Sequence, residues 1–201
     1  VFVVALIGLT FIIIQAGVPD DWLADGSQEA RISADSSSAL HMLESLEVKG
    51  RAPKTGYSRD QFGSGWSTVS GCNTRNIILN RDLKNVVLDD KCNVVSGILD
   101  DPYTGKQIIF ERGVGSNDIQ IDHVVALSDA WQKGAQNLSF NQRTSLANDP
   151  LNLLAVDGSA NQQKSDGDSA TWLPSNKAFR CQYVARQIEV KSKYSLWVTK
   201  A

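Results

Sequence analysis

Apolar residues run almost unbroken from Val1 to Ala16, interrupted only by Gly8, Thr10 and Gln15, and no charge appears before Asp20. That pattern predicts an export or membrane segment over residues 1–18. A full membrane span needs about 20 apolar residues, so the run is short for one, and both a removed signal and a retained anchor fit it. Gly17 to Ser38 is rich in Asp, Ser, Ala and Gly without a periodic apolar face, which predicts a flexible spacer over 19–38 and a folded domain over 39–201. Leu40, Leu43 and Leu46, spaced i, i+3 and i+6, predict a first helix that stops before Lys49-Gly50.

From Tyr57 to Phe110 the pattern changes. Short β-branched runs (Ile77-Ile78-Leu79, Asn85 to Leu88, Gln107 to Phe110) alternate with turn formers such as Asp101-Pro102-Tyr103-Thr104-Gly105, predicting a small mixed or antiparallel sheet. The apolar alternation Ile119-Gln120-Ile121-Asp122-His123-Val124-Val125 predicts a strand carrying an acid and an imidazole, followed by a helix through Trp131. Asn148 to Pro150 breaks the chain before a short strand, Leu151 to Val156, and Gly158-Ser159 turns it into a helix beginning near Ala160. A last helix is expected from Asn176 to Tyr194, with Phe179, Tyr183, Val184, Ile188 and Val190 as its apolar stripe. Short strands interleaved with helices place the domain in the α+β class.

A net charge of −2 looks unfavourable for a nucleic-acid binder until it is divided along the chain. Residues 20–50 carry two Lys/Arg against seven Asp/Glu, residues 51–160 eleven against twelve, and residues 161–201 seven against three. The C-terminal end is therefore the expected site of a positive patch able to hold phosphate; a solvated lysine-rich helix face would give the same count. Three cysteines cannot all pair within one chain. Cys72 and Cys92 bracket a short segment and are the favoured bridge, and Cys181, among Phe179, Tyr183, Val184 and Ile188, is expected to be a buried apolar thiol. No CxxC or Cys/His cluster suggests structural zinc.

Of the two histidines, His41 belongs to the first helix beside the acidic spacer, where a solvated position is expected. His123 follows an acid inside a β-branched strand, and a charge there is costly unless something compensates it. Taken alone, Asp122-His123 is as well explained by a hydrogen-bonded core pair as by a site. The five tryptophans, including Trp66, Trp131 and Trp172, are expected in the core more than as base-stacking platforms.

The downstream spacing changes that balance. Asn152-Leu153-Leu154 enters the second strand, Asn161 follows nine residues after Asn152, and Lys164 three residues after Asn161. Together with Ile121 to Leu127, Ala147 to Leu153, Asn161 to Asp166 and Trp172-Leu173-Pro174, this series resembles the secreted bacterial HNH (ββα-metal) endonuclease family, related to the C-terminal nuclease domain of GmrSD-type modification-dependent restriction enzymes. Upstream, Gly50 to Pro53, Tyr57-Ser58-Arg59, Cys72 to Asn76 and Asp101 to Gly105 extend the resemblance over roughly residues 40–198.

The resemblance implies a ββα-metal core, with His123 as general base, Asn152 bracing the loop that orients it, and Asp122 and Asn161 as metal ligands. Asn161 stands where many members have His, and two oxygen ligands suit Mg²⁺ or Mn²⁺ better than zinc. Lys164, one turn beyond Asn161, is expected to touch substrate phosphate; Arg75 and Arg81 are weaker candidates that nothing in their spacing separates from surface arginines. The expected function is a metal-dependent endonuclease acting on DNA, with RNA as a second substrate, exported or surface-anchored and monomeric. The alternative is a disulfide-stapled surface binding module that keeps the fold without activity.

Overall fold

The computed structural model describes residues 38–113 and 117–201, so the expected export segment and most of the expected spacer lie outside the described residues. A short helix, α1 (38–45), opens the described chain. Its expected apolar stripe is not a buried one, for Leu40 is 55% exposed and Ala39 is the residue that packs inward. Among the described residues no helix is long and apolar enough to cross a membrane.

Two short strands, β1 (Thr68–Val69) and β2 (Cys72–Asn73), form a hairpin that leads straight into α2 (Thr74–Asp82). The run Ile77-Ile78-Leu79, expected as a strand, is therefore helical. A short apolar run carries no period long enough to separate the two forms, and here the Asn73 side chain decides by accepting the Asn76 backbone N–H as an N-cap. Ile78 and Leu79 then face inward together with Asn76, whose amide bridges to Asn93 and accepts the Val94 N–H. The Cys72–Cys92 disulfide ties the same helix start to the next hairpin. Closing a loop of that size contributes about 3 kcal/mol on the chain-entropy account.

That hairpin belongs to an antiparallel sheet of β3 (Lys84–Leu88), β4 (Val94–Asp100) and β5 (Gln107–Glu111), in the order β3-β4-β5. Its central strand β4 escaped the reading of β-branched runs, since Ser96 and Gly97 dilute it. Gly97 makes room there for the neighbouring strand, since a Cβ would lie 3.1 Å from the Leu83 Cβ and 3.3 Å from the Lys84 carbonyl.

The strand pair that positions the site is β6 (Ile119–His123) with β7 (Leu153–Asp157), antiparallel and in register from Ile119↔Asp157 to His123↔Leu153. Between them run α3 (Leu127–Gln132) and α4 (Phe140–Asn148), and β7 leads into α5 (Gly158–Lys164). Strand, strand and helix are the ββα arrangement within an α+β fold. Alternation along β6 sends Ile119 and Ile121 into the core beneath α2, with Leu79, Phe110 and Leu153. Leu154 and Val156 of β7 reach the opposite core, around Tyr103 and Tyr183. Asp157 caps α5 by accepting the Ala160 N–H, and Gly158 lies so close to the incoming chain that a Cβ would sit 2.3 Å from the Asn117 carbonyl.

The last helix, α6 (Arg180–Lys193), buries Tyr183, Gln187, Ile188 and Val190. Cys181 lies roughly opposite Tyr183 at about 100° per residue, so it is exposed and unpaired, not the buried thiol expected. Behind α6 a polar network is buried: Lys133 pairs with Asp129 and Asp168, and Lys191 approaches Asp129 at 3.6 Å. Burial first, then the neighbouring Lys133, pulls the Lys191 ammonium down to about 8, against the attraction of Asp129. An unfolded lysine titrates near 10.5, so between those values the unfolded chain binds the extra proton and stability rises with pH. Below pH 8 the full penalty is present. Lys191→Met is therefore expected to be more stable than wild type by up to about 3 kcal/mol at pH 7, with the gain gone above pH ~10.5. Urea unfolding of both proteins across that range tests this; a less stable variant at pH 7 would make the ammonium a net contributor.

Candidate active site

Consecutive residues on a strand face opposite ways, and this separates Asp122 from His123. The Asp122 carboxylate faces the Tyr103 core, where Oδ2 accepts the Tyr103 hydroxyl and Oδ1 accepts the Lys164 ammonium at 2.9 Å. Burial lifts the Asp122 carboxyl above its usual range, while Lys164 and the Tyr103 hydroxyl pull it back. Tyr103 is carried by the turn after β4, which is locked by Asp101: its carboxylate accepts the Thr104 N–H and the Asp157 N–H, joining the turn to the end of β7.

The His123 ring faces the other way, and its Nε2–H donates to the Ala147 carbonyl at 2.9 Å. That leaves Nδ1 as the unprotonated nitrogen. Burial, reinforced by the Arg59 and Lys164 charges, brings the imidazole down to about 4, against the Ala147 carbonyl that favours the proton. The ring is therefore neutral at physiological pH. Trp66 lies parallel to it, at 9° with centroids 5.8 Å apart.

Asn152 is fully buried, and its side chain spans the connection after β6: Oδ1 accepts the Val125 N–H at 2.8 Å, and Nδ2 donates to the Val125 and Leu146 carbonyls. Since Ala147 follows Leu146, one asparagine fixes both the exit of the His123 strand and the segment carrying the His123 acceptor. Asn161, on α5, donates its amide to Gln120 Oε1 at 2.9 Å, and its carbonyl oxygen has no donor among the described residues.

Asp122, His123 and Asn161 line one open groove of about 470 Å³, together with Lys54, Arg59 and Asp166. Lys164 is not available to it. Its ammonium is buried and shared between Asp122 Oδ1 and the His123 carbonyl, because the α5 turn that carries it faces β6 and, among the described residues, no other cation pairs with the buried carboxylate, which otherwise has only the neutral Tyr103 hydroxyl. The expected phosphate contact of Lys164 is thus replaced by charge compensation of Asp122. Arg75 points its guanidinium to the Ile119 carbonyl at the far end of β6, and Arg81 binds Asp82 and the Pro150 and Leu153 carbonyls, so neither lines the groove. Three of the seven C-terminal cations are likewise diverted: Lys164 and Lys191 are buried, and Lys193 pairs with Asp149.

The groove's cations come instead from Lys54 and Arg59, in a stretch without apolar periodicity. Lys54 is held against Asp166 at 3.1 Å, and Asp166 also accepts the Ser128 hydroxyl. Tyr103 and Trp66 were equally hidden, the first inside a turn motif and the second among tryptophans expected in the core. Trp131, by contrast, is buried in a core cluster as expected, and His41 is solvated beside Glu44.

Residues 73–201 match the family described as GmrSD restriction endonucleases, C-terminal domain. The chain belongs to that family. Over 168 residues it is also 42% identical to an "Uncharacterized secreted protein" of Arthroderma benhamiae, covering 82% of this chain and 79% of the relative. That relative is fungal, whereas the motifs suggested a bacterial set. No solved structure matches the chain. Membership of the GmrSD C-terminal family makes a nuclease-related enzyme of it, and β6, β7, α5 and all of Asp122, His123, Asn152 and Asn161 fall inside the matched span. Lys54, Arg59 and Trp66 precede it.

The family implies a divalent metal, and the residues present fit a hard one. Among the described residues no group of three or more His, Cys, Asp or Glu could hold an ion. Among the groove-lining residues, Asp122 offers carboxylate oxygens that keep acceptor capacity beyond Tyr103 and Lys164, Asn161 a side-chain carbonyl oxygen without a donor among the described residues, and Asp166 a carboxylate already engaged by Lys54 and Ser128. Such a set suits Mg²⁺ or Mn²⁺ completed by water and phosphate, and not zinc.

Proposed function

We propose that the chain is an exported, metal-dependent HNH endonuclease that hydrolyses phosphodiester bonds of DNA. The observation that carries this reading is His123: a neutral imidazole, its Nε2–H committed to a backbone carbonyl, in a groove shared with Asp122 and Asn161. Export is supported by the apolar N-terminal run, the disulfide, and the description of the fungal relative as secreted.

In this reading His123 Nδ1 accepts a proton from the attacking water, and the anionic phosphate beside it favours the imidazolium that results. Asn152 keeps the ring from turning by fixing both backbone segments that frame it. Asp122 and Asn161 would hold the divalent ion, which when bound stabilises charge on the phosphate and leaving oxygens. Lys164 and Tyr103 keep Asp122 fixed in orientation. Arg59, at the groove mouth, attracts the phosphate backbone.

The direct test is plasmid digestion with Mg²⁺ or Mn²⁺, with and without EDTA. Nicking that EDTA abolishes is the expected result, and its absence under every metal would sink the proposal. A finer expectation concerns Asn161→Asp. A carboxylate in place of the amide adds a second negative charge to the ion's surroundings at nearly constant volume. Metal affinity should rise while turnover falls, since the ion is then a weaker Lewis acid and the incoming phosphate is repelled. Calorimetry with Mn²⁺ and cleavage kinetics on one preparation read both halves; unchanged values for both would place Asn161 away from the ion.

A further inference from the structure

Two cavities meet at His123, and they differ in chemistry. The first is the charged groove that holds Asp122 and Asn161. The second, about 280 Å³, shares Arg59, His123 and Leu127 with it but is walled by Trp66, Phe62 and Ala147. Trp66 is half-buried, with part of its surface against the α2 core and part on this cavity. Its backbone is pinned on the far side, where the Ser67 N–H donates to Asn148 Oδ1 and the Ser67 carbonyl accepts Thr74. The rest of the lining is the single 3-10 turn Arg59–Phe62, with Asp60 on it, and the following residues 63–65, where Gly63 and Gly65 adopt positive φ.

From this geometry we infer that the second cavity takes one unpaired nucleobase, that of a nucleotide flanking the scissile phosphate, and that the enzyme acts on single-stranded or locally unpaired nucleic acid. The inference rests on the phosphodiesterase reading and names its substrate class. A flat heteroaromatic ring fits a slot with an indole wall and an apolar floor, and the phosphate attached to its sugar then falls toward Arg59 and His123. A base still in its pair cannot enter, because the volume is at the lower end of what holds even a small ligand. Stacking on an aromatic face is tolerant of sequence, so preference for strandedness and not for sequence follows.

The alternative for Trp66 is that it only steadies the His123 ring, and base removal separates the two. Binding of a labelled single-stranded DNA 12-mer and of its fully abasic counterpart is measured by fluorescence anisotropy in EDTA for wild type, Trp66→Phe and Trp66→Ala. Wild type should prefer the base-bearing strand by roughly tenfold or more, Trp66→Phe should keep most of that, and Trp66→Ala should lose it while binding the abasic strand as wild type does. Equal affinity of wild type for the two strands would overturn the inference. With Mg²⁺, wild type should cleave the single strand and a duplex carrying a one-base bulge faster than the blunt duplex, and Trp66→Ala should slow the base-bearing strand by roughly tenfold more than the abasic one. Equal slowing of both would make Trp66 a positioning residue alone and would also overturn it. Base-dependent binding without any cleavage would remove the nuclease reading and leave the base cavity standing.

Discussion

His123→Ala is expected to lower the turnover number for DNA cleavage by about 10²- to 10⁴-fold, the range a positioned general base supplies. The reason is local. Nε2–H is held by the Ala147 carbonyl, so Nδ1 is the basic atom of the ring, and no second histidine or thiol lines the groove to take over. Metal affinity should stay near wild type, because Asp122 and its partners Tyr103 and Lys164 face the other side of β6. Stability should fall by no more than about 1–3 kcal/mol, the cost of leaving the Ala147 carbonyl without its donor. Oligonucleotide cleavage, Mn²⁺ calorimetry and urea unfolding on one preparation distinguish these, and a variant that keeps most of the wild-type rate would remove His123 from the chemistry.

Lys164→Met should produce the largest loss of stability of any single change near the site, about 3–5 kcal/mol. Among the described residues its ammonium is the one cation paired with Asp122, both groups are buried, and removing one partner leaves an uncompensated charge in the core. A lysine that merely touched phosphate would behave otherwise, raising KM and salt sensitivity with stability untouched. Lys164→Met combined with Asp122→Asn should recover much of the loss, since the buried charge is then gone from both sides. Urea midpoints of the two single variants and the double variant decide between these outcomes. A wild-type midpoint for Lys164→Met would show that Asp122 is neutralised by something else.

Much of the site could be read in the chain itself because its chemistry is carried by residues close together in sequence or at fixed helical spacing. Alternation fixed β6 and put an acid and an imidazole on opposite faces, the Asn152-Leu153 entry marked β7, and the spacing to Asn161 fell on the helix that follows. The Cys72–Cys92 pair was legible for the same reason, two cysteines bracketing one hairpin. Where residues far apart in sequence meet, periodicity is silent. Lys164 is one turn from Asn161 whether its ammonium reaches solvent or Asp122, and only the packing of α5 onto β6 chose the buried carboxylate. Arg59 lies in a single 3-10 turn, Trp66 in a loop and Tyr103 in a tight turn, without a repeating pattern to betray them, and they enter the site through contacts made over dozens of residues or between cavity walls distant in sequence. The helix over Ile77-Ile78-Leu79 was settled by a side-chain cap that outweighed β-branched propensity. What the sequence determined alone is the ββα order with its acid, imidazole and two asparagines. Which cations face the phosphate and which serve the core was decided by tertiary structure, because a buried carboxylate must find its counter-charge among whatever the fold brings within reach.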